Sequence, residues 1–223
     1  MNLEAVLKVG GSLSRGKGLE TLCREIGRLG ERHRLLVVPG GGDFAERVRE
    51  ADRRFHLDET AAHCMALLAM DQYGYILNQL IGGSWLTADL ASACDATESG
   101  KVGILLPSAI IVRENPLPHS WRVTSDSIAA WVSLRTSSDR LVLLKDVDGL
   151  FTADGLIQEM MEEQLTQHAG GVDPYLSEFL VSAAMETWVI NGLMPGRLAE
   201  LLETGGTIGT RIGRVKTGMS VRL

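Results

Sequence analysis

The 223-residue sequence lacks the features that mark several special classes of protein. It has three cysteines, Cys23, Cys64 and Cys94, and no two of them have the spacing of a metal site or a redox pair. Each lies among apolar neighbours, so we expect three small buried side chains. No apolar run approaches the roughly 20 residues needed to cross a bilayer. We expect no leader, because an apolar run begins at Leu3, and we therefore predict a cytoplasmic protein.

An excess of positive charge is also lacking. The formal net charge is -6 at pH 7, whereas a nucleic-acid surface needs a basic stripe. We therefore expect neither a nucleic-acid partner nor a membrane partner. The chain is 45% hydrophobic and 22% charged, as in an ordinary globular protein. It has no internal repeat, low-complexity segment or long linker, so residues 1–223 are expected to form a single domain.

Short apolar runs alternate with helical patterns along the chain. The runs predicted as strands are residues 3–9, 35–38, 102–106, 109–112, 141–144 and 187–190. Helices are predicted over residues 19–29, 43–55 and 58–80, with Asp58 as a cap, and after a cap at Thr124 or Ser125. A last helix could take Pro195 into its first turn, and residues 82–100 fit no pattern. Strands that alternate with helices indicate a parallel α/β sheet.

The helix predicted over residues 58–80 is apolar nearly all round. Such a helix must be covered on most sides. Its own domain could cover it, or a second subunit could. We favour the second reading, because one small domain offers limited cover, and expect a homodimer or a higher homo-oligomer.

Three loops follow strands and are rich in glycine or charge. They are Lys8-Val9-Gly10-Gly11-Ser12, Pro39-Gly40-Gly41-Gly42 and Lys145-Asp146-Val147-Asp148-Gly149-Leu150-Phe151. Glycine lets successive backbone N–H groups approach an anion closely. An ordinary glycine turn is the alternative for the first loop. Residues 11–17, ending in Lys17, also fit the beginning of a P-loop, but Gly18 stands where the hydroxyl residue is needed.

Ligands of open α/β sheets bind at the carboxyl ends of the strands, where these loops lie. Asp126, at a predicted helix start, brings a further carboxylate. A lysine and an aspartate that hold phosphates of two molecules would suit in-line phosphoryl transfer. The alternatives are a helix cap for Asp126 and a β-turn for Asp146 and Asp148.

Together with Thr124-Ser125-Asp126 and the closing Gly206-Thr207-Ile208-Gly209-Thr210, these loops resemble the signature stretches of the amino acid kinase family. That family includes acetylglutamate, aspartate, carbamate, uridylate and isopentenyl phosphate kinases. The resemblance implies an α/β fold, a three-layer α/β/α sandwich around a mainly parallel open sheet. It also implies ATP with Mg²⁺ and a small-molecule acceptor. The acceptor would lie on the N-terminal half and the nucleotide on the C-terminal half.

The resemblance also implies a role for each loop. Lys8 would bind the transferred phosphoryl group, and Asp126 would orient the lysines. The residues expected at the nucleotide are Gly10, Gly11, Ser12, Lys145, Asp146, Asp148, Gly149, Leu150 and Phe151. Those expected at the acceptor are Gly40, Gly41, Gly42 and Ser125. No protein side chains are expected to form a metal site of their own.

The sequence departs from the family pattern in the C-terminal half. Many members carry a second active-site lysine after a Gly-Gly-Met stretch. Here residues 170–173 read Gly-Gly-Val-Asp, and no lysine follows until Lys216. We hypothesise that Lys145, where relatives often have threonine, supplies that charge from another direction and is catalytic.

The stretch from Pro118 to Trp131 is similar to one branch of the family, which phosphorylates an aminomethyl-furan-methyl phosphate in methanofuran-type cofactor synthesis. His119 and Trp121 could stack on a flat ring there, or simply pack the loop. The resemblance therefore favours an ATP-dependent kinase with a phosphate-bearing acceptor of that kind. The alternatives are a kinase for a carboxylate or carbamate, and a nucleotide-binding or storage protein without turnover.

Overall fold

The computed structural model describes residues 3–16, 18–165, 170–183 and 185–213, so Lys17 and Lys216 lie outside the described residues. The strands are β1 (Ala5–Val9), β2 (Leu35–Pro39), β3 (Ser84–Thr87), β4 (Val102–Leu105), β5 (Leu141–Lys145), β6 (Phe151–Thr152), β7 (Gly155–Leu156), β8 (Glu159–Met160), β9 (Thr187–Asn191) and β10 (Thr210–Ile212). The helices are α1 (Leu19–Gly30), α2 (Gly42–Phe55), α3 (Glu59–Leu80), α4 (Leu90–Glu98), α5 (Ser108–Glu114), α6 (Ser125–Arg135), α7 (Glu162–Leu165), α8 (Pro174–Ala183) and α9 (Arg197–Thr204). A short 3-10 turn covers Gly11–Arg15.

Within these residues, eight strands form one sheet in the order β3-β4-β2-β1-β5-β9-β10-β8. Neighbouring strands are parallel, except that β10 runs antiparallel to β9. The strands β6 and β7 form a separate hairpin. The predicted α/β architecture with a mainly parallel sheet is confirmed. Because β2, β1 and β5 are neighbours, the loops after them meet at one edge.

Each face of the sheet carries its own apolar core. Along β1, Val6 belongs to one core, whereas Ala5, Leu7 and Val9 belong to the other, because successive strand side chains point to opposite faces. The first core is completed by helices α5, α6 and α8, and the second by α1 and α9. Helix α3 contributes to both. The result is the expected three-layer sandwich.

The strand predicted over residues 109–112 is wrong, since these residues lie in helix α5. Its apolar, β-branched run favours a strand locally. The helix is nevertheless capped from α3: Asp71 accepts a hydrogen bond from the Ser108 backbone N–H at 3.1 Å and another from its hydroxyl group. Tertiary capping of this kind satisfies the first turn of a helix and overrides local propensity.

Three smaller expectations also need correction. Cys23 and Cys94 are buried, but Cys64 is partly exposed. Residues 82–100 do contain regular structure, namely β3 and α4. Pro195 precedes helix α9, for which Gly196 is the N-cap. Of the helices described, none has the length and apolarity needed to cross a membrane.

Candidate active site

The loops after β1 and β2 touch each other at the carboxyl edge of the sheet. The Gly40 N–H donates to the Val9 carbonyl at 2.8 Å. A Cβ atom on Gly11 would lie 2.4 Å from the Gly42 nitrogen. No side chain fits at so close an approach of two backbones, so Gly11 is required where it stands. Two glycine turns are thus side by side, as the sequence predicts.

Two lysines converge on one carboxylate beneath these turns. Lys8 Nζ lies 2.8 Å from Asp126 Oδ1, and Lys145 Nζ donates to Asp126 Oδ2 at 2.6 Å. Lys8 is 5% exposed and Asp126 is 2% exposed, so both charges are almost fully withdrawn from water. The arrangement brings together the three residues for which we predict catalytic roles, and Lys145 reaches Asp126 from β5.

The charged groups of this cluster shift one another's pKa values. Burial raises the pKa of Asp126, but the positive charges of Lys145 and Lys8 outweigh burial, and the pKa lies well below its usual range. Burial lowers the pKa of Lys8, and the attraction of Asp126 offsets only part of that effect. The charge of Lys145 lowers the pKa of Lys8 further. Asp126 therefore stays ionised, forms ion pairs with both lysines and is a poor proton acceptor.

The helix start predicted at Thr124 or Ser125 is confirmed, because α6 begins at Ser125. Thr124 is the N-cap of α6, but its side chain caps no backbone N–H of the helix. That hydroxyl donates instead to the buried carboxylate of Asp173, which also accepts the backbone N–H of Ser127 at 2.9 Å. Sequence reasoning missed Asp173 in this role. Its position just before a proline would have suggested a cap for α8 only.

A cavity of about 280 Å³ opens beside the glycine turns. Its wall includes Gly11, Gly41 and Gly42, two arginines from different elements, and a patch of apolar side chains from α3 and α6. The polar and aromatic side chains of its lining are Ser12, Arg15, Glu46, Arg49, His63, Trp121, Thr124 and Ser125. The predicted acceptor residues Gly41, Gly42, Trp121 and Ser125 therefore share one cavity.

Trp121 is fixed in the cavity wall by two contacts. Its indole Nε1 donates to Asp52 Oδ2 at 2.7 Å, and the guanidinium carbon of Arg49 lies 4.7 Å from its ring centroid. A cation over an indole face at this distance is attractive. Trp121 thus offers a flat, oriented surface beside a positive charge.

His119 does not belong to the cavity lining described above. Its ring stacks on that of His63, with centroids 4.5 Å apart. Both of its nitrogens are engaged: Nδ1 lies 2.9 Å from Thr60 Oγ1, and Nε2 lies 2.8 Å from Asn115 Oδ1. His63 therefore faces the cavity, and His119 supports it from behind. The apolar pattern of α3 concealed His63 from sequence reasoning.

The loop after β5 is tied down at several points. The Ser12 hydroxyl donates to Asp146 at 2.8 Å, which joins this loop to the first glycine turn. Asp148 accepts from Asn191 at 2.9 Å and from Arg197 at 2.6 Å. The hydrogen bond from Asn191, followed by that from Arg197, lowers the pKa of Asp148.

The remaining residues of that loop differ in exposure. Leu150 is buried in the core, whereas half of Phe151 is exposed. Gly149 approaches Thr210 so closely that a Cβ atom would lie 2.6 Å from its hydroxyl oxygen. The backbone N–H of Leu150 donates to Thr210 Oγ1 at 2.7 Å, and its carbonyl accepts from the Ile157 N–H at 2.8 Å. Of these two residues, Phe151 is therefore the one that offers an exposed surface, its ring, to a ligand.

No group of three His, Cys, Asp or Glu side chains that could hold a metal ion occurs in the part of the chain that the structure describes. The exposed carboxylate of Asp146 lies at the first glycine turn. Mg²⁺ commonly keeps several waters and binds one or two carboxylates together with nucleotide phosphates. This donor set therefore fits a Mg²⁺ ion that is bound mainly by a nucleotide.

Comparison with known proteins gives a consistent result. The model of the amino acid kinase family matches residues 4–191. A (5-(aminomethyl)furan-3-yl)methyl phosphate kinase of Methanocaldococcus jannaschii is 28% identical over 214 residues, which cover 93% of this chain and 96% of the relative. A uridylate kinase of Methanospirillum hungatei is 25% identical over 204 residues, covering 84% and 83%.

The fold has solved counterparts as well. The crystal structure of a uridylate kinase from Archaeoglobus fulgidus superposes with a TM-score of 0.75 at 20% sequence identity, covering 95% of this chain and 100% of that one. At this identity the match establishes the fold alone. The sheet order and the three layers described above therefore have a solved counterpart.

Proposed function

The chain belongs to the amino acid kinase family and is a phosphotransferase, and we propose that it transfers the γ-phosphoryl group of ATP to a small acceptor that already carries a phosphate. The observation that carries this proposal is the convergence of Lys8 and Lys145 on Asp126 beside two touching glycine turns. Phosphoryl transfer needs little covalent help from the protein. It depends on positioning and on neutralising negative charge.

In this mechanism Lys8 and Lys145 bind the phosphoryl group during its transfer, and Asp126 orients the two lysines. The acceptor oxygen attacks the γ-phosphorus in line, and the bond to the β-phosphate oxygen breaks as the new bond forms. No covalent enzyme intermediate is involved. Asp126 is unsuited to act as the base, because its lowered pKa makes it a weak proton acceptor. A phosphate acceptor needs no base, since its oxygen is already ionised near pH 7.

We assign the nucleotide to the C-terminal half and the acceptor to the N-terminal half. The backbone N–H group of Gly11 and the hydroxyl group of Ser12 are expected at the nucleotide phosphates, whereas the Gly10 N–H donates to the Leu144 carbonyl at 2.9 Å. The loop from Lys145 to Phe151 would lie along the nucleotide. Mg²⁺ would neutralise the phosphates when bound, with Asp146 as its carboxylate neighbour.

We further propose that the cavity beside the glycine turns binds the acceptor, and we call it the acceptor cavity. Arg15 and Arg49 suit an anionic phosphate. The faces of Trp121 and His63 suit a flat ring. The relatives with uridylate and furanylmethyl phosphate in their names are named for acceptors that carry a phosphate. An aminomethyl-furan-methyl phosphate is therefore our first candidate.

The experiment measures ADP release with Mg²⁺, ATP and one acceptor at a time. The panel consists of (5-(aminomethyl)furan-3-yl)methyl phosphate, uridylate, glutamate and carbamate. We expect turnover with the furanylmethyl phosphate, and its loss in the Lys8→Ala variant. Turnover with glutamate or carbamate alone would favour a carboxylate or carbamate kinase instead. ATP binding without turnover of any acceptor would favour a storage or binding protein.

We also propose that the protein is a homo-oligomer. Helix α3 exposes an apolar stripe at helical spacing, made of Met65, Leu68, Tyr75 and Ile76. A second copy that covers this stripe would account for it. Sedimentation equilibrium should report a dimer or larger species, and Leu68→Glu should shift it toward monomer. A wild-type monomer at micromolar concentration would rule the proposal out.

A further inference from the structure

Asp173 lies just before helix α8 and is 6% exposed. Its carboxylate accepts five hydrogen bonds from three residues of two helices. Oδ2 accepts from Thr124 N at 3.0 Å, Thr124 Oγ1 at 3.0 Å and Ser127 N at 2.9 Å, and Oδ1 accepts from Ser127 Oγ at 2.5 Å and Leu176 N at 2.8 Å. One side chain therefore caps the first turns of α6 and α8 together.

The main chain of Asp173 contacts the lysine–aspartate cluster. Its backbone N–H donates to Asp126 Oδ2 at 3.2 Å, and this is the oxygen that Lys145 holds at 2.6 Å. Asp126 in turn pairs with Lys8. Thr124, which donates two hydrogen bonds to Asp173, lines the acceptor cavity. Asp173 thus connects the acceptor wall, the start of α6 and the carboxylate that orients both lysines.

We propose that Asp173 is a positioning residue for phosphoryl transfer: by capping α6 and α8 together and bonding to Asp126, it fixes the carboxylate that holds Lys8 and Lys145. This inference rests on the proposed function, in which the two lysines bind the γ-phosphate. Asp173 acts through Asp126 and is not itself placed at the reacting atoms.

The pattern of donors requires two carboxylate oxygens. Backbone N–H groups point at Oδ2 from Thr124 and Ser127, and another points at Oδ1 from Leu176. In Asp173→Asn, one oxygen becomes an NH₂ group. Whichever way the amide turns, its hydrogens face at least one of these N–H groups, and that donor loses its acceptor. The substitution keeps the shape of the side chain and breaks the cap.

The charge of Asp173 also acts on Lys8. The charged groups around Lys8 are Asp126 on α6, Lys145 on β5 and Asp173 before α8. Burial lowers the pKa of Lys8, and the negative charge of Asp173 acts in the opposite direction. Removing that charge lowers the Lys8 pKa further, so Lys8 loses its proton at a lower pH. A residue that only held helices in place would not move this titration.

The test measures the contribution of the γ-phosphate to binding, so it needs no acceptor. Calorimetry compares adenylyl imidodiphosphate, a non-transferable ATP analogue, with ADP, both with Mg²⁺. We expect wild type to prefer the analogue. We expect Asp173→Asn to reduce this preference about tenfold, the lower end of the loss that follows when a residue orienting a metal ligand is replaced. In Asp173→Asn the preference should also disappear at a lower pH than in wild type.

Asp71→Asn is the matched control. Asp71 is a partly buried aspartate that, like Asp173, caps a helix, here through the backbone N–H and hydroxyl group of Ser108. It belongs to α3 and caps α5, and the hydrogen bonds described for it go to Ser108, not to Lys8 or Lys145. Its replacement should lower the melting temperature and leave the preference for the analogue unchanged. Ser127→Ala, which deletes one donor to Asp173, is a milder second variant and should reduce the preference in the same direction.

The outcomes distinguish a failure of this positioning role from a failure of the proposed function. If Lys8→Ala abolishes the preference while Asp173→Asn and Ser127→Ala keep it, the positioning role is overturned and the proposed function stands. If Asp71→Asn reduces the preference as strongly as Asp173→Asn, a general loss of stability explains the effect, and the role is also overturned. If Lys8→Ala keeps the preference, the lysines do not bind the γ-phosphate, and both proposals fall.

Discussion

The lysine–aspartate cluster and the acceptor cavity lie at the same edge of the sheet, but their charged side chains differ in exposure to solvent. In the cluster, Asp126 pairs with Lys8 and Lys145 almost entirely out of water. Arg15, in the cavity wall, forms an ion pair with Asp43, and both side chains are largely exposed. A charge of the buried cluster that loses its partner gains little hydration in return. An exposed charge of the cavity that loses its partner is hydrated instead.

This difference in exposure suits two different tasks, stabilising the transferred phosphoryl group and binding the acceptor. The buried cluster is arranged before any ligand binds, which suits groups that must meet developing charge at a fixed distance. The cavity wall has in Arg15 an exposed side chain that can adjust to an acceptor, beside the ring of Trp121 that Asp52 and Arg49 hold in place. We therefore expect changes in the cluster to affect stability and kcat, and changes in the cavity to affect KM. Each substitution below could contradict that division.

The largest effect should come from Asp126→Ala. It leaves Lys8 and Lys145 facing each other without a counter-charge in a buried site, which typically costs about 3–5 kcal/mol. Urea denaturation should show this loss of stability, and activity should be undetectable. Asp154→Ala, an exposed carboxylate in the β6–β7 turn, should change the free energy of unfolding by less than about 0.5 kcal/mol. Equal losses of unfolding free energy in the two variants would mean that Asp126 does not stabilise the two buried lysines.

Lys8→Ala and Lys145→Ala should each lower kcat by about 100-fold to 1,000-fold, the usual cost of removing one preorganised donor to the transition state. Lys101→Ala, an exposed lysine beside Trp85, is the control and should leave kcat unchanged. Steady-state kinetics with the acceptor that turns over fastest provides the measurement. Full activity in Lys145→Ala together with loss in Lys8→Ala would show that Lys145 does not replace the missing second lysine.

The sheet and the glycine turns could be predicted because their signals are local. Runs such as Leu35–Val38 and Leu141–Leu144 are buried on both sides, so they stay apolar along their whole length. The loops after them must meet once the strands are parallel neighbours. This reasoning reached Lys8 and the turns at Gly11 and Gly42 without coordinates, whereas the roles of Lys8 and Asp126 came from the family resemblance.

The features missed depend on partners distant in sequence. The run at 109–112 became a helix because Asp71, 37 residues away, caps Ser108. The cap of α6 comes from Asp173, which is 46 residues beyond Ser127. Local propensity contains no information about such partners. His63 was missed for a related reason: one polar side chain in an apolar helix gains significance only from the cavity beside it.

A smaller effect is expected in the acceptor cavity from Trp121→Ala. The substitution removes a ring that Asp52 and Arg49 hold in place. Losing a cation–π contact and a stacking face typically costs about 1–2 kcal/mol. The acceptor KM should therefore rise roughly tenfold, with kcat nearly unchanged. His119→Ala, which only supports His63 from behind, should raise KM less. A collapse of kcat in Trp121→Ala would place the indole at the reaction and contradict the division.

The smallest effect should come from the pair of Arg15 and Asp43, whose side chains are 62% and 70% exposed. An exposed ion pair contributes about 0–1 kcal/mol, so Arg15→Gln and Asp43→Asn should both leave the melting temperature nearly unchanged. Their effects on the acceptor should be opposite. Arg15→Gln removes a charge that attracts the acceptor phosphate and should raise KM a few-fold. Asp43→Asn releases Arg15 from a competing carboxylate and should lower KM.

Both shifts should shrink as salt is raised from about 0.05 to 0.5 M, because exposed charges are screened over a Debye length. Kinetics at the two salt concentrations would therefore test where the acceptor phosphate lies. If the two variants change KM in the same direction, Arg15 and Asp43 act as one structural link. The acceptor phosphate would then have to be bound by Arg49 or the glycine turns, and the cavity would be as preorganised as the cluster beneath it.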